Sequence, residues 1–395
     1  MCKQKAAIAN HSFIPMMKYI FVRRTFLPVA FLCIVYSSFG QQEQAERRID
    51  SVMQQYDMPG LSVAVVKKGT IIYAHSFGVK NKETGQALTN DDIFRIASIS
   101  KSFSATSIMQ LVQAKKLSLD DDVSKLIGFA VRNPKFPGEV ITVRMILSHT
   151  SGINDSQGYF TLDVINPAKN PDAAKCYNDY APGQGYQYCN LNFNLAGTIV
   201  ERVSGQRFDN YIKTHILDPL GLYGGFNVGA LDSGRFATLY EYDSAANKLT
   251  ADPQAYNPRT AEIGNYVMGY STPIFSPAGG MKISATDLAK YMTMHIYKGK
   301  YKGVRIISKK SAVTMQNPAS HDYGLAIETT HDLIPGVTMK GHTGSAYGLY
   351  SIMFFQPQKK FGIVAITNGC NAGYYRGFSP ALKAVVNILY EEMIE

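Results

Sequence analysis

The sequence predicts an α+β fold: an antiparallel sheet assembled from both ends of the chain, flanked by N- and C-terminal helices, with an all-helical lobe inserted between its pieces. Three observations predict it. β-Branched and apolar runs around Lys68-Gly69 form a hairpin signature near the N-terminus. Four further strand-like runs lie from Tyr323 onwards, and helical periodicity dominates the stretch between the two groups.

The elements follow in order. Arg23-Arg24, the apolar run Phe26 to Phe39 and the small residues Ser38 and Gly40 have the form of a secretory signal, with Met16 or Met17 as an alternative start. The run is too short to span a bilayer, and an N-terminal anchor is the alternative. Residues 1–40 are therefore expected to be a signal peptide and residues 41–395 a secreted or periplasmic domain with no stable membrane span after cleavage. Its sheet lobe would take about 45–95 and 255–395, and its helical lobe about 96–254.

A helix over Ala45 to Gln55 leads through Pro59-Gly60 to strands Leu61–Val66 and Thr70–Phe77. A buried helix then opens at Ser98, since Phe103, Ala105, Ile108, Met109, Leu111 and Val112 recur at helical spacing. Ser118 or Asp120 is expected to cap a short helix, and Thr142 to cap Val143–Leu147. From Ser156 to Gly185 the chain is polar and rich in Gly, Pro, Asn and Asp, which reads as a long surface loop. Helices follow from Asn192 to Val203, ending at Gly205, and from Phe208 to Ile216, stopped by Pro219-Leu220-Gly221. Asp243 to Pro277 reads as irregular. Ser284 or Thr286 caps a helix to Tyr297. Tyr323–Glu328, Thr338–Gly341, Gly348–Gln356 and Gly362–Thr367 read as strands, and Phe378 to Met393 as a closing amphipathic helix.

Composition narrows the function classes. With 395 residues, 46% hydrophobic and 18% charged, the chain is globular rather than disordered. The formal charge of +10 shrinks once residues 1–40, with five Lys/Arg and no Asp/Glu, are set aside: 35 basic residues then face 30 acidic ones. That excess is unclustered, so no nucleic-acid partner is expected. Beyond residue 40 only Cys176, Cys189 and Cys370 remain, so at least one thiol is free, and a Cys176–Cys189 bridge stays open. No Cys/His cluster has metal-ligand spacing, and neither a metal nor a cofactor is expected.

The chemistry centres on Ser98 and Lys101. At a helix start this spacing puts the amine one turn from the hydroxyl, on the same side. A partly desolvated amine, its pKa lowered, can take the serine's proton during attack, while the Ser98 N–H in the first turn is free to face an oxyanion. A lone Ser-x-x-Lys also arises by chance, so two further stretches decide. They are Tyr188-Cys189-Asn190 just before a helix, and His342-Thr343-Gly344-Ser345 on a strand.

The ordered set resembles the three motifs of the serine β-lactamase and penicillin-binding superfamily, and its Tyr-x-Asn form points to the class C-like branch. Leu147 to Gly152, Pro277 to Gly280 and Thr367 to Gly369 support the resemblance, which covers about residues 45–395. It implies a β-lactamase/transpeptidase-like fold and a role for each position. Ser98 would be the acylated nucleophile, and Lys101 and Tyr188 would shuttle its proton. Asn190 would bind substrate and help to hold Lys101. The N–H groups of Ser98 and Ser345 would form the oxyanion hole, with Thr343 lining the substrate strand and Gly344 letting it come close.

Three residues near these motifs invite plainer readings. His149 reads as a structural hydrogen-bonder in a helix-ending turn. Cys189 is expected to pack away from the cleft, because its neighbours on an extended segment point the other way. Tyr188 would be a packing residue were it not next to the motif Asn190. One departure matters: His342 stands where such enzymes usually carry Lys, and an imidazole with pKa near 6.5 is mostly neutral at pH 7. Substrates lacking a carboxylate are therefore favoured.

The expected activity is a metal-free serine hydrolase working through an acyl-enzyme on a small-molecule or short-peptide donor, an ester or small amide. The alternatives are a β-lactamase or D,D-peptidase, an acyltransferase using an alcohol or amine acceptor, and an acylated sensor that barely turns over. Tyr177, Tyr180, Tyr186, Tyr347 and Tyr350 would either pack the loops or supply aromatic surface for an apolar acceptor.

Overall fold

The computed structural model describes residues 27–375 and 377–395. The predicted signal lies outside them up to residue 26. From Leu27 the backbone forms one helix, α1 (Leu27–Gln55). Among the described residues no helix is long and apolar enough to cross a membrane.

The predicted fold class is observed. The main sheet contains β1 (Gly60–Lys67), β2 (Thr70–Asn81), β3 (Gln86–Ala87), β4 (Glu328–Ile334), β5 (Val337–Ala346), β6 (Leu349–Gln356) and β7 (Phe361–Thr367). Their order is β4-β5-β6-β7-β1-β2-β3, antiparallel throughout, so the two ends of the chain meet at the β7–β1 pair. The first hairpin forms because Lys68 and Gly69 both adopt positive φ, as a two-residue turn between right-twisted strands requires.

Helices cover both faces. On one, α1 and the C-terminal helix pack Ala45, Ile49, Leu382, Val385 and Leu389 against Val63, Phe354 and Ile363. On the other lie α2 (Ser100–Gln113), α3 (Asn190–Ser204) and α4 (Ala285–Ile296), within a larger core that includes Phe103, Phe193 and Met292. Helix α5 (Pro380–Met393) closes the chain. Ser284 caps α4 by accepting from the Asp287 N–H at 3.1 Å, and Gly205 ends α3 in the left-handed region, both as expected.

Several local expectations are corrected. Tyr323–Ile327 is not a strand, because His321, Asp322 and Ala326 take positive φ and bend the chain away from the ladder. The bend docks on the helices Lys309–Gln316 and Val143–Leu147 instead, through Leu325 N–H to the Met315 carbonyl and Ala326 N–H to the Leu147 carbonyl. The short helix near residue 120 is Val123–Ile127, capped by Asp122 rather than by Ser118 or Asp120. The helix from Phe208 is regular only to Ile212 and continues as a π turn over Lys213–Leu217. Within the stretch read as irregular from Asp243, a small hairpin pairs Tyr240–Asp243 with Lys248–Ala251.

Candidate active site

A strained backbone sets the nucleophile. Ala97 adopts φ +46, which costs an L-residue energy, and the tight turn Ala97–Ile99 runs directly into α2. On the strand side this turn is held by Ser351 Oγ, which donates to the Ile96 carbonyl at 3.0 Å. Gly344 packs flat against the same turn. A methyl group there would come closer than 3.0 Å to the Ile96 carbonyl oxygen and to Ser351 Oγ.

Lys101 is fully buried beneath Ser98. Its Nζ lies 3.0 Å from Ser98 Oγ, 2.8 Å from Asn190 Oδ1 and 2.9 Å from the Ala278 carbonyl oxygen. Burial pushes its pKa down to about 7, against the opposing pull of the Asp155 carboxylate. A neutral amine has two N–H donors and one lone pair. With the two carbonyl oxygens taking the donors, the lone pair is left facing the serine hydroxyl.

Tyr188 stands on the other side of the nucleophile. Its ring centroid lies 4.8 Å from Lys101 Nζ, and it lines both of the cavities that open on Ser98. Burial raises its pKa well above the usual phenol value, so it stays protonated at neutral pH.

Asp155 is the residue that sequence reasoning missed. Its carboxylate accepts from the backbone N–H groups of Asn190 (2.8 Å) and Leu191 (3.0 Å), from Asn190 Nδ2 (3.0 Å) and from Cys189 Sγ (3.1 Å). It therefore caps α3 from a distant loop and turns the Asn190 amide so that Oδ1 meets Lys101. A signal was present: the N-cap position holds Cys189, which cannot cap, so the cap had to come from elsewhere.

The other expectations divide. Cys189 is buried and faces Asp155, away from the cleft, and Cys176, Cys189 and Cys370 are all free thiols, so the open Cys176–Cys189 bridge is not formed. His149 accepts from the Cys189 N–H at 3.1 Å through Nδ1, in the turn after Leu147. His342 differs from expectation in strength: burial, aided by Lys101, drives its pKa down to about 3 rather than leaving it near 6.5. Its Nδ1 meets the Thr343 carbonyl oxygen and its Nε2 meets Tyr323 Oη at 2.9 Å. The imidazole is neutral, so Nδ1 carries the proton and Tyr323 donates to Nε2.

Strand β5 outruns β4. Their ladder ends at the Glu328–Gly341 pair, so His342 to Ala346 present an open edge to the cleft, with Thr343 and Ser345 on it. Two cavities open on Ser98. One, of about 460 Å³, is bounded by Arg95, Tyr159, Phe160 and Tyr347. The other, of about 310 Å³, lies between Tyr186, Tyr188, Tyr323 and Thr343. Of the five tyrosines named from sequence, Tyr186 and Tyr347 line these cavities and Tyr177, Tyr180 and Tyr350 do not.

A serine at a helix start, over a buried lysine at the edge of such a sheet, defines a serine hydrolase. The chain belongs to the Beta-lactamase family, whose model matches residues 45–377. Penicillin-binding protein 4 of Amycolatopsis lactamdurans is 29% identical over 348 residues, 82% of this chain and 84% of that protein. Protein flp of Staphylococcus aureus is 26% identical over 83% of this chain, which spans 63% of flp. Among solved structures, the octameric penicillin-binding protein homologue from Pyrococcus abyssi superposes with a TM-score of 0.69 at 29% identity, covering 88% of this chain and 77% of that one.

Proposed function

We propose that this chain cleaves esters or small amides through an acyl-enzyme on Ser98. The observation that carries the reading is the 3.0 Å contact between Ser98 Oγ and Lys101 Nζ, made by an amine that is substantially neutral at pH 7. Lys101 takes the Ser98 proton as the hydroxyl attacks the carbonyl. Tyr188, protonated and beside Ser98, passes a proton to the leaving group and is recharged through Lys101. The N–H groups of Ser98 and Ser345 receive the oxyanion, and Thr343 and Asn190 hold the substrate. Water then releases the acyl group by the reverse proton path. The neutral His342 offers no cation to a substrate carboxylate, which favours donors without one over penicillins and C-terminal peptides.

The proposal includes export, supported by the basic flank and apolar run ahead of Gln41. The cleft would then lie between a sheet lobe and a helical lobe divided near residues 95 and 255. A fluorophosphonate probe is expected to label Ser98 alone, read by intact mass and peptide mapping. Label on another serine, or full activity in Ser98→Ala, would remove the assignment.

A second reading, acyl transfer, is favoured by the aromatic rim of the larger cavity, Tyr159, Phe160 and Tyr347, which suits an apolar acceptor held in line with the acyl group. Adding a millimolar hydrophobic alcohol at fixed donor is expected to give measurable transfer product beside hydrolysis. Unchanged donor turnover with no transfer product would discard this reading.

A further inference from the structure

The smaller cavity beside Ser98 contains a group that the chemistry above leaves unused. Glu328 opens β4, opposite Gly341, and lines this cavity at the corner where the free edge of β5 begins. Tyr186, Tyr188, Tyr323 and Tyr374 line it too, and the Glu328 carboxyl is close enough to perturb all four phenols. Among the described residues, no lysine or arginine lines the cavity.

The carboxyl makes no hydrogen bond or ion pair within the described residues, and burial alone pushes its pKa up to about 7. The nearby cations among the described residues are committed elsewhere. Lys101 Nζ is taken by Ser98, Asn190 and Ala278, and Lys340 Nζ by the Gln316 carbonyl and Thr329 Oγ1. His342, the lining residue that could have carried charge, is neutral with both ring nitrogens engaged.

Consider what such a cavity accepts. An apolar ligand would strip water from the carboxylate and leave it unpaired, which is costly. A carboxylate ligand would meet a like charge with no cation to offset it. An ammonium group satisfies the carboxylate and also gains from the electron-rich faces of the tyrosine rings.

We propose that Glu328 and the tyrosines around it form a cation subsite, so that the favoured Ser98 substrates are esters or amides bearing an ammonium group on the part seated beside β5. The proposal rests on the reading of Ser98 as the acylated nucleophile. It goes beyond that reading by giving the substrate a charge. The substitution of His for a cation at residue 342 and the carboxyl at residue 328 then act together, turning an anion-accepting corner into a cation-accepting one.

The test compares choline with its neutral isostere 3,3-dimethylbutanol, by calorimetry at pH 8 on the full chain. Choline is expected to bind on the order of tenfold more tightly, the range of an aromatic cage with a carboxylate, and Glu328→Gln should bring the two close to parity. The kcat/KM ratio of butyrylcholine to 3,3-dimethylbutyl butyrate should move in parallel within each variant, which cancels any general loss of activity. Equal binding of the two probes by the unaltered chain, no binding of either, or an unchanged preference in Glu328→Gln would each overturn the subsite. The first two do not depend on any variant folding. Preferential choline binding without acylation of Ser98 by either ester would instead retain the subsite and reject the acyl-enzyme reading.

Discussion

Replacing Lys101 with methionine is expected to lower the rate of Ser98 acylation by about 10²–10⁴, the contribution of a positioned general base. Because burial holds the amine near pKa 7, kcat/KM of the unaltered enzyme should climb with pH up to about 7, as the neutral form fills, and level off above it. The climb should vanish in Lys101→Met. Tyr188→Phe should cost a similar factor while keeping the climb, since the phenol stays protonated across that range. The double variant should lose far less than the product of the single losses, because both groups serve one proton path. A multiplicative loss, or a pH profile that survives without Lys101, would mean that the two act separately.

Gly344→Ala is the second large effect. The added methyl group must displace the Ile96 carbonyl, which leads into the turn that aims Ser98, or the Ser351 hydroxyl, which holds that carbonyl from β6. An overpacked contact of this kind costs about 1–3 kcal/mol of stability. The functional loss should be larger, since a misplacement of about 1 Å in a reacting group can cost about 10²-fold in rate. Thermal unfolding and kcat measured together separate the two. A variant that unfolds earlier yet turns over normally would show that the turn tolerates movement.

The legible part of this molecule was its pattern. The hairpin around Lys68-Gly69, the periodicity after Ser98 and the cap at Ser284 are local devices, in which sequence neighbours meet in space. Ser98, Lys101 and Asn190 were also readable, because helix geometry and the order of the three motifs fix their types. What failed to show depends on contacts between distant segments. Asp155 acts on a helix that starts 35 residues later, from a loop with no periodicity to reveal it. The Ala278 carbonyl that holds Lys101 is a backbone group, so no side chain marks it. Tyr323 and Glu328 were read as one alternating strand, whereas positive φ at His321, Asp322 and Ala326 bends the chain and turns both residues toward the cleft. Alternation in sequence does not report the handedness of the backbone that carries it.

The pairing of α1 with α5 bears on how the enzyme could be handled. Arg48 bridges Glu391 at 2.7 Å and Glu392 at 2.6 Å, so the second half of α1 and the last turn of α5 are latched side by side on the face of the sheet away from the Ser98 turn. A bead, a surface or a fused carrier attached through either end would thus sit behind the molecule and leave its mouth facing the medium. Immobilised enzyme should remain accessible to bulky donors, and one linker at the C-terminus should serve as well as one ahead of α1.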